Sequence, residues 1–156
     1  MDSLVHNDLG IVHLLAAFLA TITGTAVLAM RKGTRRHKQV GYVYVFGMAV
    51  LNITALFIYT LNGSFGVFHV GAILSGLTVF GGMMVVIRRR SGWIYRHFAY
   101  MYWSVIGLYA AFASESLTRI PDTPFYGMVG LASGLIFLAG AVYHRRLGKN
   151  WVKSFK

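Results

Sequence analysis

The sequence contains no cysteine, only four acidic residues and only two prolines. Without cysteine there are no disulfides, no iron–sulfur ligation and no thiolate chemistry. The prolines, Pro121 and Pro124, fall together in "TRIPDTP" and mark a break between two apolar runs. The shortage of Asp and Glu against 15 Lys and Arg leaves a formal net charge of +11.

What fills the chain instead is apolar. Of its 156 residues 56% are hydrophobic and 12% charged, and the mean hydropathy of +0.61 is too high for a water-soluble domain of this size. Five runs, at approximately 9–30, 40–62, 67–87, 98–118 and 125–143, each match the twenty or so residues needed to cross a bilayer. They leave no room for a soluble domain. Their short connections predict an all-α, polytopic membrane protein, an up-down bundle of five transmembrane helices forming one integral domain over 1–156.

Charge sets the expected orientation. Fourteen of the fifteen basic residues lie between spans one and two (Arg31 to Lys38), between spans three and four (Arg88 to Arg96), or after span five (Arg145 to Lys156). The positive-inside rule makes that side cytoplasmic, so the N-terminus faces out and the C-terminus in. Such a distribution points to anionic lipid at the cytoplasmic face of a bacterial inner membrane rather than to nucleic acid. The tail "HRRLGKNWVKSFK", with Trp151 and Phe155 among its basic residues, suits the same surface. Two aspartates precede the first run where a cleavable signal would carry basic residues, so the first span is expected to be retained.

Small residues at helical spacing (Ala17, Ala20 and Gly24; Gly71, Ser75, Thr78 and Gly82; Gly130 and Gly134) predict close helix packing. Gly130-x-x-x-Gly134 also allows a homodimer, although a contact within the bundle is the simpler expectation. On the second span, Gly41, Tyr44, Met48, Asn52, Ala55 and Tyr59 share a face, with Asn52 as a mid-membrane packing lock.

The histidines divide into two layers when depth is counted at about 1.5 Å per residue. His13, His69 and Glu115 lie near the outer ends of spans one, three and four, with His6 and Asp8 close by in sequence. Imidazole and carboxylate together suit a transition metal, zinc above all. A metal would offset the cost of holding Glu115 in a low-dielectric medium. His13, His69 and Glu115 are therefore the expected metal ligands, with His6 and Asp8 as auxiliaries. A competing reading pairs Glu115 with Arg119 four residues on and gives the histidines hydrogen-bonding partners across the bundle. His37, His97 and His144 form the inner layer among Arg and Lys. Two histidine layers also suit b-type haem as cofactor, with His13 and His69 holding an outer haem and His37 and His97 an inner one. A third reading is a small proton- or ion-linked transporter without cofactor. The sequence offers no nucleophile and no second general base, so no reaction is assigned.

Several of these residues lie in stretches that resemble a known family. His13 with Gly24, "HKQVGYVYVFGM" after a basic loop, "FHVGAILSG" opening the third run and "HFAYM" opening the fourth are similar to bacterial predicted membrane proteins grouped as domain of unknown function 2306, over roughly residues 11–120. The resemblance implies a polytopic bacterial membrane protein without an assigned reaction, and it singles out His13, His37, His69 and His97. Trp103 stands where the family often has arginine.

Overall fold

The computed structural model describes residues 8–58 and 65–153, with side chains through Arg146. Every regular element is helical: α1 Asp8–Ala29, α2 Arg35–Phe57, α3 Val67–Arg88, α4 Trp93–Leu117 and α5 Phe125–Lys153. Four of these contain a stretch long and apolar enough to cross a membrane: α1, α2, α3 and residues Phe125–Arg146 of α5. The expected fourth span, 98–118, is a helix of sufficient length but falls outside that group. Its tyrosines, serines, His97 and Glu115 lower its hydropathy, and several of these polar groups turn inward: Tyr102, Ser104 and Ser114 are buried.

The chain divides into two compact units, Met1–Phe80 and Gly81–Lys156, with the boundary inside α3. In the first, α1 turns mainly small side chains to α2, which answers with larger ones. Ala16, Ala20 and Gly24 are buried on α1, and Tyr44, Gly47, Met48, Leu51 and Thr54 on α2. A β-carbon at Gly47 would lie 3.4 Å from the Ala20 nitrogen, so this crossing brings the two backbones close. Bulky residues point the other way: Leu15, Ile22 and Phe46 are each more than 60% exposed. That inversion of inside and outside fits helices whose solvent is hydrocarbon. Thr21, Thr23 and Thr25 return their hydroxyls to the Ala17, Leu19 and Thr21 carbonyls, which removes the cost of polar atoms on an apolar helix. Of the face expected on α2, Tyr44 and Met48 are buried, Gly41, Asn52 and Ala55 are half-buried, and Tyr59 lies outside the described residues. The Asn52 amide lies near Gly76 of α3, 3.8 Å from where a β-carbon there would stand.

The α1–α2 turn is built on two caps. The Lys32 ammonium donates to the Val27, Leu28 and Met30 carbonyls at 2.8, 2.6 and 3.0 Å, closing the C-terminal end of α1. Thr34 then opens α2 by accepting the His37 backbone N–H at 3.1 Å.

In the second unit, the end of α3 meets α4 where Gly81 and Gly82 face the Tyr100 ring and Met101. The turn between them is tight, with Arg89 at φ 42° and Gly92 at φ 71°. Gly92 adopts this left-handed backbone at no steric cost, whereas Arg89 holds it against the ordinary preference of an L-residue. α4 joins α5 through the Tyr102 hydroxyl, which donates to the Gly140 carbonyl at 2.7 Å, and through a 3.0 Å bond between the Ser114 and Ser133 hydroxyls. On α5, Gly140 makes a close contact with α4, against Ile106. Gly130 and Gly134 instead face open space, so within the described residues they make no internal helix contact.

Candidate functional site

The histidines are the chemistry-bearing residues, and for His13, His69 and His97 a ring hydrogen bond indicates which nitrogen carries the proton. His13, on α1, has Nδ1 2.9 Å from the Thr54 hydroxyl. Thr54 already directs its own proton to the Val50 and Leu51 carbonyls at 2.8 and 3.0 Å. The hydroxyl oxygen is therefore the acceptor, His13 donates through Nδ1–H, and the ring lone pair sits on Nε2. Thr54 was not legible in the sequence as a site residue, since the face expected on α2 ran through Asn52 and Ala55 on either side of it.

His97, in the first turns of α4, has Nδ1 3.0 Å from the Gly82 carbonyl oxygen. A carbonyl can only accept, so Nδ1 must carry the proton and Nε2 the lone pair. An imidazole anchored through Nδ1–H to a backbone carbonyl, with Nε2 turned to its function, is the arrangement that orients metal-ligating histidines.

His69 is held in the opposite sense. It is buried at the start of α3, beside the Phe65 ring, and its Nδ1 accepts the Gly66 backbone N–H at 3.1 Å. In the neutral ring this places the proton on Nε2. His37 occupies the first turn of α2, its backbone engaged by Thr34. His144, on α5, is walled by aromatic rings of α4: Phe98 stacks on it at 5.3 Å and 10°, Trp103 at 5.7 Å, with Tyr102 and Tyr95 beside them. This ring cluster was not anticipated from the sequence.

Glu115 belongs to the second unit, where its carboxylate accepts from Arg119 Nη2 at 2.7 Å. Here the competing reading of the sequence holds: one turn separates the two charges, and both side chains are partly exposed. Asp8 opens α1 and is exposed, while His6 lies outside the described residues. Among the described residues, no group of three or more His, Asp and Glu is gathered in a way that could hold a metal ion.

The family model described as "Predicted membrane protein (DUF2306)" matches residues 10–152. No curated protein and no solved structure matches the chain. Four apolar helices of membrane-crossing length and a family match over nearly the whole chain lead to one assignment: this chain is a multi-pass membrane protein and belongs to the DUF2306 family.

Proposed function

We propose that this protein is a b-type haem protein of a bacterial inner membrane that passes electrons through histidine-ligated iron. In this reading α1 to α5 form an up-down bundle with the N-terminus outside and the basic loops in the cytoplasm. The observation that carries it is the 3.0 Å bond from His97 Nδ1 to the Gly82 carbonyl, which holds the ring with its lone pair on Nε2. His97 belongs to the inner histidine layer, for which a zinc site made of His13, His69 and Glu115 has no use. Haem, when bound, supplies one-electron redox chemistry at iron. The protein's part is to orient the ligands and keep them basic, which the Gly82 carbonyl does for His97 and the Thr54 hydroxyl for His13. His69 would ligate through Nε2 only in its other tautomer, giving up the Gly66 bond.

A zinc site at the outer ends of α1, α3 and α4 is the second reading. It is favoured by the tautomer of His13 and opposed by the engagement of Glu115 with Arg119.

The deciding experiment combines elemental analysis and a dithionite-reduced minus oxidised spectrum, both on detergent-purified protein never exposed to nickel or chelator. Stoichiometric iron with a b-type difference spectrum, lost in part in His97→Ala and kept in His144→Ala, is the expected result. Colourless protein with stoichiometric zinc moves the assignment to the outer site. Protein with neither metal ends both readings and leaves a proton- or ion-linked transporter, tested by flux with Glu115→Gln.

A further inference from the structure

Where α3 ends and α4 begins, the second unit holds an open pocket of about 220 Å³. Arg88, Arg90 and Arg96 line it together with the rings of Trp93 and Tyr100. Its composition is that of a site for a single anion with an apolar attachment. Three guanidiniums supply forked donors matched to phosphate oxygens. Met84 and Val85 on α3 add an apolar wall. The space is enough for a phosphate and the first atoms of its ester.

Among the described residues, no carboxylate is paired with the arginines of this pocket. The described acidic residues are Asp8, Glu115 and Asp122, and the one ion pair among the described residues is Glu115 with Arg119. The site is also shaped by its backbone. Arg89 takes a left-handed conformation and lies over the Trp93 ring, 5.8 Å from its centre, while Arg88 and Arg90 on either side of it line the pocket. Arg96 is steadied by a bond from Nη2 to the Ser91 carbonyl. Gly81 has no side chain to displace the Tyr100 ring, which a β-carbon there would approach at 3.0 Å.

We propose that this pocket binds one phosphate group, presented either by an anionic phospholipid headgroup or as free phosphate. The proposal does not depend on the haem reading.

The test is native mass spectrometry of the full chain in detergent, titrated separately with phosphatidylglycerol, phosphatidylcholine and inorganic phosphate. The pocket variant is Arg88→Gln/Arg96→Gln, and the control is Arg145→Gln/Arg146→Gln, which removes two basic residues of α5. Tight phosphatidylglycerol binding, weakened about tenfold or more in the pocket variant but not in the control, assigns a lipid headgroup. Saturable binding of inorganic phosphate with the same dependence assigns the free ion. Equal losses in pocket and control variants would show a diffuse basic surface and overturn the site. Hydrogen exchange of the unaltered protein in phosphatidylglycerol and phosphatidylcholine nanodiscs serves if the variant does not fold. Protection confined to 88–96 in the anionic lipid supports the pocket, and no difference there rejects it.

Discussion

The Nδ1–H of His97 on α4 bonds to the Gly82 carbonyl on α3 at 3.0 Å, and Gly82 is also a position where a β-carbon would crowd α4. Anchor and close approach share one residue. A β-carbon at Gly82 would lie 2.6 Å from Met101 Sδ and 3.2 Å from Tyr100 Cβ. Met101 can swing aside, but Tyr100 Cβ moves only with its helix. Gly82→Ala is expected to cost about 1–3 kcal/mol and to shift the His97 ring signals, whereas Gly71→Ala, which enters open space, costs nothing or stabilises slightly. Thermal unfolding of both variants in one detergent checks this; equal melting temperatures would show that Gly82 is not a tight contact between α3 and α4.

Thr54 should matter through its oxygen rather than its bulk. Thr54→Val keeps the shape and deletes the acceptor of the His13 Nδ1–H bond. Loss of this part-buried bond costs about 0.5–1.5 kcal/mol, while Thr54→Ser retains the bond and stays close to the parent. Nitrogen-15 spectra of the histidines provide an independent readout, in which Thr54→Val alone releases the His13 tautomer.

Glu115 and Arg119 make an i, i+4 pair at partly exposed positions. Their coupling in a double-mutant cycle should be about 0.3–0.5 kcal/mol and shrink with added salt. If Glu115 instead held zinc, Glu115→Gln would empty the metal and Arg119→Gln would leave it in place. Matching behaviour of the two variants in elemental analysis fits the ion pair alone.

Lys32 is the charge outside the spans whose environment changes it most. Burial pushes its ammonium from 10.5 down to about 8. The folded state releases this proton near pH 8 and the unfolded state near 10.5, so between those values the unfolded chain binds more protons and stability rises with pH. The burial penalty is present in full below pH 8. The melting temperature of the wild type relative to Lys32→Met should therefore climb between pH 7.5 and 10; a flat difference would contradict the assignment.

The helices were legible because each apolar run is long and bounded by charge. Their ends were less so. The second span was expected from residue 40, yet α2 begins at Arg35, since Thr34 caps the helix and carries it through "RRHK". Hydropathy does not register a helix that continues among charged residues, and the same effect places Arg96 and His97 inside α4. The pairing of Glu115 with Arg119 could be read from their separation of four. Partners on different helices could not, because depth along a span gives the level of a residue and not the direction it faces. Thus His13, His69 and Glu115 share an expected level but have Thr54, Gly66 and Arg119 as described partners.

With Ala20 against Gly47 inside and Leu15, Ile22 and Phe46 outside, the usual map of mutational tolerance is turned over. Cohesion here depends on closeness of fit between small surfaces, so the interior should reject enlargement sooner than truncation. The outward faces ask only for compatibility with acyl chains: exchanging one large apolar residue for another should pass unnoticed, while a single aspartate would be excluded. A drift of sequence confined to the outside, with glycine and alanine held within, is the pattern such a molecule can survive.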